Sequence, residues 1–425
     1  MNSSQRIAII GSGISGISSA HLLQKKFSVS LFEKDSRLGG HTNTITLSSG
    51  PDAGTPVDTG FIVFNDRTYP NFIRLLSEWG VSSQASDMSF SYWDRETDFC
   101  YAGTNLNGLF AKRRHLFSAQ YWHFLKEITL FNKAALDDLR LRPRELEDMT
   151  LAHYVEKLGL STNFKRWYLW PMAAAIWSAS QELIDQFPAS TFLHFFRNHG
   201  LLELKNRPLW RTIQGGSHSY IKAFEKSFSG QINREEAAVK IIRHSQKIEI
   251  LTSQNRRHFF DFAVLACHAD DALSLIESPT KLEKKLLGAW SYSKNRTFLH
   301  TDLSFMPKRR AAWASWNYVS DAQEKLGNSV TLTYDMNRLQ NLKTKQRYLV
   351  TLNPTREIPQ EHLITEILYT HPQYTLEALQ SQKQLHEIQG VDRLYFAGAH
   401  FGFGFHEDGA KSGFEIARRL GALPG

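Results

Sequence analysis

Residues 6–44 read RIAIIGSGISGISSAHLLQKKFSVSLFEKDSRLGGHTNT. The apolar run Ile7, Ala8, Ile9, Ile10 leads straight into Gly11, Ser12, Gly13, Ile14, Ser15 and Gly16, and apolar groups then recur at Ile14, Ile17, Ala20 and Leu23. That order predicts a strand, a tight turn and a helix. A second strand, Val29 to Phe32, ends at Glu33, about 20 residues beyond Gly13, the distance at which a carboxylate meets a ribose hydroxyl. Each glycine has its own reason. Gly11 makes the turn, Gly13 admits a pyrophosphate to the backbone, and Gly16 lets the helix pack on the sheet with its N-terminus toward the phosphates. Together these features point to dinucleotide binding.

The residues after Glu33 decide which dinucleotide. Lys34 and then Arg37, Leu38, Gly39, Gly40, His41, Thr42 resemble the second glycine motif of the FAD-dependent amine oxidase superfamily, whose paired glycines pass under the FAD pyrophosphate. Most members carry arginine after the pair, where this chain has His41. Further segments resemble the same superfamily. Val57, Asp58, Thr59, Gly60, Phe61 is similar to the exit from the FAD domain beside the isoalloxazine, and Gln214, Gly215, Gly216, Ser217 to its glycine turn at the domain junction. The resemblance implies non-covalent FAD held by those residues together with the backbone of Val239 at the adenine, Gly398 and Ala399, and Glu407, Asp408 and Gly409 at the start of the last helix. That helix N-terminus would face the pyrimidine edge of the ring, its positive end favouring the charge of reduced flavin. The absence of any cysteine after Cys267 argues against the thioether link of monoamine oxidases.

With 425 residues, 42% hydrophobic and 22% charged, the chain has the volume for two domains and the composition of an ordinary folded protein. Its 12% aromatic content suggests a large apolar cavity or interface. Two cysteines, Cys100 and Cys267, are too few for a disulfide framework and match a reducing compartment, and no metal spacing involves them. The chain enters its first strand at Arg6 with no room for a secretory signal, so a cytoplasmic location is expected. No apolar run approaches the ~18 to 20 residues that span a bilayer, so membrane contact would be peripheral, on its inner face. The net charge of +8 favours an anionic partner, a membrane surface or nucleic acid. Its cations fall in small groups, Lys112 to Arg114, Arg256 to Arg257, Lys308 to Arg310 and Arg418 to Arg419, each of which also suits a solvated face. Nucleic acid lacks both a motif and a basic helix here.

Patterning predicts an α/β chain of mixed α+β character. The resemblance implies that a Rossmann-like FAD-binding domain, 1–60, 211–288 and 389–425, is interleaved with a substrate domain, 61–210 and 289–388, of helices over a mixed sheet. Helical periodicity runs over Tyr69 to Gly80, Tyr220 to Phe228 and Gly409 to Leu420, and over a long stretch Leu109 to Leu139 whose start, Lys112 to His115, is basic. Its aromatic stripe reads either as core or as a face laid on an anionic bilayer. Trp170 to Trp177 suits a helix packed on something flat. Strand patterns cover Val239 to Arg243, Ile248 to Leu251, His258 to Phe262 and Phe262 to Cys267, with Asp270 and Asp271 opening a helix. Further strand patterns cover Thr297 to His300, Ala312 to Tyr318, 329–334, Tyr348 to Leu352 and Arg393 to Phe396.

The segments 58–65, 87–90, 299–302, 306–307, 313–317 and 404–409 resemble one branch of the superfamily, bacterial FAD-dependent proteins and the flavoprotein-like region of plant cyclopropane-fatty-acid synthases. The fold implied is like protoporphyrinogen oxidase and phytoene desaturase. This likeness implies bound FAD and a lipid neighbourhood, and with the aromatic content and the basic flanks it leads to the expectation of an enzyme that passes a hydride from a C–H bond of an apolar, fatty-acyl substrate to flavin N5. Oxygen, a quinone or a partner protein would then take the electrons, since no second nucleotide fingerprint follows a strand. An amine oxidase and a non-catalytic flavoprotein partner of a lipid methyltransferase are the alternatives. Where monoamine oxidases place an aromatic cage residue, this chain has His406, near Phe401, Phe403 and Phe405. A histidine there either polarises or deprotonates substrate, making it the catalytic candidate, or shapes the loop by hydrogen bonding.

Overall fold

The apolar run at the N-terminus forms the strand Arg6–Ile10 at the centre of a five-stranded sheet. Across it the order is Gln231–Asn233, Ser28–Phe32, Arg6–Ile10, Phe262–Leu265 and Leu394–Phe396, every pair parallel. A parallel sheet buried on both faces needs apolar groups on both. Accordingly Ile7 and Ile9 join one apolar cluster and Ala8 and Ile10 another. The computed structural model describes residues 5–177, 180–203, 206–320 and 331–423.

One face carries the helices Ile14–Leu23 and His406–Arg419, which approach each other through glycine. A Cβ on Gly409 would lie 2.6 Å from Ile14 Cγ2, and one on Gly413 would lie 2.8 Å from the Ser19 amide nitrogen. The other face is covered by the antiparallel strands Ala238–Arg243, Ile248–Thr252 and Arg257–Phe260, whose Ile241, Ile250 and Phe260 share a cluster with Ala8 and Ile10.

A seven-stranded mixed sheet forms the second body. Its order is Leu363–Pro372, Tyr292–His300, Leu349–Leu352, Thr331–Asp335, Trp316–Ser320, Phe90–Asp94, Phe99–Ala102. Only Trp316–Ser320 with Phe90–Asp94 pairs in parallel. Residues 329 and 330 of the expected strand 329–334 lie outside the described residues. The edge strand Leu363–Pro372 was not legible. Ile364 and Leu368 are exposed on the same face as Glu366, so polar and apolar residues share a face and the alternation is lost.

The long helical pattern is interrupted. A short helix, Leu106–Leu109, a 3₁₀ turn, Arg113–Phe117, and then the helix Ala119–Leu141 occupy it. The Ser118 hydroxyl accepts the Tyr121 N–H and starts the long helix there, so Lys112 to His115 sit on the preceding turn and not on the helix. Phe124 and Phe131 are fully buried, whereas Phe117 is 91% exposed, which divides the aromatic stripe between core and surface. The last helix begins at His406, three residues before the expected start at Gly409. Among the described residues no helix is long and apolar enough to cross a membrane.

Candidate functional site

The carboxyl ends of the parallel strands open on a cavity of 1360 Å³, where Ile10, Phe32, Ala266 and Gly398 form its edge. The N-terminal turn and the start of the last helix, nearly 400 residues apart, line the same space: Gly11, Ser12, Gly13, Ile14 and Ser15 on one side, Gly398, Ala399, His406 and Gly409 on the other. Glu33, Lys34, Arg37, Gly39, Gly40, His41 and Gly60 also line it.

The nucleotide end is a cradle of bare backbone. Gly11 has φ +98°, a conformation that side chains rarely adopt. Around a Cβ placed on Gly13 nothing lies within 4 Å, and one on Gly40 would meet the Gly13 Cα at 3.3 Å, so the two glycine loops lie against each other. No side chain caps the helix at Gly13 and no acid stands in its first turn, which leaves its first N–H groups for an anion. The Glu33 carboxylate is held by the Ser12 amide at 3.0 Å, the Ser12 hydroxyl and the Asp35 amide at 3.0 Å. It therefore presents a fixed acceptor at the place a ribose requires. In the cavity wall Nε2 of His41 and of His400 is buried without a hydrogen-bond partner. These features fit an FAD molecule, which Gly11 to Ser15 and Gly39 to His41 would hold at its pyrophosphate and Glu33 at its ribose.

Several expected site residues build the frame and do not line the cavity. Gly16 packs so tightly that a Cβ would stand 1.9 Å from the Gly11 carbonyl oxygen. Thr42 bonds the Tyr220 hydroxyl at 2.5 Å, and Thr59 bonds the Tyr369 hydroxyl at 2.8 Å. Asp58, fully buried, accepts from Thr44, from the Ser217 amide and hydroxyl, and from Gln340, tying three distant segments together. Burial raises its pKa to about 6. Glu407 caps the helix Pro70–Glu78 by accepting from the amides of Asn71 and Phe72, and Asp408 accepts from the amides of Phe403 and Phe405. Val239 does not line the cavity with its side chain. A register shift in the strand at Ala238 to Lys240 turns Val239 outward, 47% exposed, and Ala237 and Ala238 line the cavity instead.

Arg37 spans the second glycine loop, donating to the carbonyls of Gly40 and Thr42 at 2.9 and 2.7 Å. His41, in the place of the superfamily's arginine, stacks on Tyr369 at 5.1 Å and stands 5.4 Å from His371. Burial and the neighbouring His371 and His268 push its pKa down to about 3, so it is neutral at pH 7. Tyr369 and His371, on the strand Leu363–Pro372, and His268, at the start of the helix Ala269–Leu275, gave no signal in the sequence, because neither a strand period nor a helix start marks a cavity wall.

His406 lies against Phe61 with ring centroids 3.6 Å apart, and its Nε2 meets the Tyr220 hydroxyl at 3.0 Å. Burial holds it well below the usual imidazole range. Phe405 lines the cavity beside Phe195, ring centroids 4.9 Å apart, whereas Phe401 and Phe403 pack away from it.

Beyond His406 the cavity continues into the second body. Leu125, Ile128, Thr129 and Asn132, one face of the long helix at helical spacing, form a wall with Leu106, Leu109, Met172, Ile176 and Leu201. Among the described lining residues the carboxylates are Glu33, Asp35 and Asp271, all from the nucleotide-binding segments, and the one cation of the second body is Arg207.

A parallel sheet carrying a glycine cradle, interleaved with a mixed sheet under helices, defines the amine oxidase-like class of FAD-binding folds. The sequence model for the flavin-containing amine oxidoreductase family matches residues 14–421. The chain belongs to that family and is an FAD-dependent oxidoreductase. Among similar solved structures is a CLA-producing fatty acid isomerase from P. acnes, at TM-score 0.69 and 14% identity, covering 99% of this chain and 100% of that one. A putrescine oxidase bound to putrescine aligns at TM-score 0.68 and 13% identity over 99% of both chains. The cyclohexylamine oxidase of Brevibacterium oxydans aligns at TM-score 0.67 and 16% identity over 98% of this chain and 99% of that one. No curated protein sequence is close enough to count as a match.

Proposed function

We propose that this oxidoreductase acts on an apolar fatty-acyl chain that threads the inner branch of the cavity to reach the flavin end. The observation that carries this reading is the chemistry of the wall. From Phe61 to Trp210 and from Tyr292 to Pro372 the described lining residues hold no carboxylate, while Leu106, Leu109, Leu125, Ile128, Met172 and Ile176 give an aliphatic surface. An ammonium group placed there would lose its hydration without an ionic partner, at a cost of several kcal/mol, roughly. An acyl chain gains about 0.8 kcal/mol for each CH₂ removed from water. A fatty acid isomerase shares the fold, which accords with acyl chemistry on this scaffold.

In this reading bound FAD supplies the hydride acceptor. The chain's own residues align the substrate and exclude water: Phe195 and Phe405 narrow the passage, and neutral His406 at its end is the group placed to orient the reacting carbon or take a proton from it. The test is to mix the oxidised holoprotein anaerobically with long-chain fatty acids, with phospholipids, and separately with polyamines and aromatic amines, while following the visible flavin absorbance. Bleaching by the acyl compounds supports the proposal. Bleaching by amines alone overturns it in favour of an amine oxidase, and no bleaching by any overturns it in favour of a non-catalytic flavoprotein.

A further inference from the structure

Two basic triplets, Lys112 to Arg114 and Lys308 to Arg310, stand almost 200 residues apart in the chain and meet on one surface. Asp98 joins them, accepting from Arg309 and lying 4.0 Å from Lys112 Nζ. Beneath them Cys100, Ala111 and Ala312 form a small buried cluster, and a Cβ on Gly108 would lie 3.2 Å from the Ala311 carbonyl oxygen. Arg113, Arg114, Lys308 and Arg310 are exposed, and none makes a close ion pair with a carboxylate among the described residues, Lys308 acting on Asp98 only at longer range. Apolar side chains project from the same surface: Phe117 is 91% exposed, Leu106 75%, Trp122 46%. They belong to one tied unit, since Arg113 donates to the Phe110 carbonyl, the Trp122 indole donates to the Leu116 carbonyl at 3.0 Å, and the Phe110 and Trp122 rings are 5.4 Å apart.

This surface is continuous with the cavity. Leu106 lines the cavity and is also exposed, and the lining stripe Leu125, Ile128, Asn132 continues at helical spacing to Trp122 on the surface. An apolar wall leading out to half-exposed Trp122 and nearly fully exposed Phe117, among exposed cations without close ion pairs, matches an interface with anionic headgroups above and acyl chains below.

We propose that this face docks on an anionic lipid bilayer, with Phe117, Leu106 and Trp122 entering the headgroup–acyl boundary and the cations meeting lipid phosphates. The inner branch of the cavity then opens toward the bilayer, a consequence that rests on the acyl reading, whereas docking itself does not.

The experiment is co-flotation of the FAD-loaded protein with vesicles of phosphatidylcholine alone and of phosphatidylcholine mixed with phosphatidylglycerol. The protein is expected to float with the mixed vesicles at low salt and to be released as salt rises. Phe117→Glu abolishes flotation, and the pair Arg113→Glu and Arg114→Glu reduces it at least about tenfold, since each cation at such a surface changes partitioning by about fivefold. Val391→Glu, on an exposed residue of the nucleotide-binding body, leaves it unchanged. Phe117 is so exposed that its replacement spares the fold, which retained FAD and circular dichroism verify. Wild-type protein that stays behind with both vesicle types, or Phe117→Glu floating like wild type, overturns docking. Flotation without oxidation of any acyl lipid leaves docking standing and removes the acyl substrate, and oxidation of dissolved fatty acid without flotation does the reverse.

Discussion

The His406 imidazole lies flat on the Phe61 ring, centroids 3.6 Å apart and planes 8° from parallel. Phe61 leads out of the nucleotide-binding segment and His406 opens the last helix, so this stack closes the flavin end of the cavity from both ends of the chain. Phe72 stands edge-on to the imidazole at 4.9 Å, and Tyr220 takes its Nε2. In so dry a setting the ring stays neutral, as a base near neutral pH must.

The rate of anaerobic flavin reduction by substrate is therefore expected to show no limb from His406 between about pH 6 and 8. His406→Phe keeps the stack and removes both nitrogens. It should slow reduction about a hundredfold with FAD content unchanged. Unchanged rate with loss of FAD would assign His406 to shaping the loop.

Glu33 holds the glycine turn through the Ser12 amide and hydroxyl. Replacing it by Ala removes hydrogen bonds to a charged acceptor worth about 1.5–3 kcal/mol each. FAD affinity is expected to fall at least about tenfold, read as the fluorescence of released flavin during dilution.

Arg207 is the one cation lining the second body's part of the cavity among the described residues. For a free fatty acid, Arg207→Ala is expected to raise KM about tenfold with kcat little changed, and to leave the corresponding methyl ester unaffected. Equal effects on acid and ester would remove it as a carboxylate anchor.

Gly413 sits where the two helices of the nucleotide-binding body touch. A Cβ there meets Ser18 Oγ and the backbone of Ser19 and Ser15. Because backbone cannot yield as a side-chain tip does, Gly413→Ala should destabilise the fold by roughly 1–3 kcal/mol, measured by urea unfolding. FAD should also bind less tightly, since both helix N-termini face the cavity.

His400 is 3% exposed, and burial with His268 nearby pushes its pKa down to about 3. Its unfolded form takes a proton near pH 6.5, so below that value the unfolded state binds more protons and folding stability drops as pH falls. Between about pH 6.5 and 5, wild type should lose about 2 kcal/mol relative to His400→Gln, checked by denaturant unfolding at each pH. Asp58 has the opposite sign. Its folded pKa of about 6 lies above the ordinary carboxylate value, so its contribution is present below about pH 4 and lost as pH rises through 6.

The sequence by itself determined what is set within a turn or two of backbone. Gly11 at positive φ, the uncapped helix start at Gly13 and the acid at Glu33 are local requirements of chain geometry, and glycine spacing states them directly. Helical and strand periods were readable wherever one face was buried, as in Pro70–Glu78. They failed at Leu363–Pro372, where apolar and acidic side chains share a face, and at Ser118, where a hydroxyl cap divides one apparent helix. Tertiary structure alone decided which motif residues face the cavity and which, like Asp58, Glu407 and Asp408, spend their carboxylates on distant amides and hydroxyls. It alone turned Val239 outward at a shifted register, and it alone brought Lys308 to Arg310 beside Lys112 to Arg114. The physical reason is range: backbone conformation is governed by near neighbours, whereas a cavity wall or charged face is assembled from segments that meet only after the core has packed.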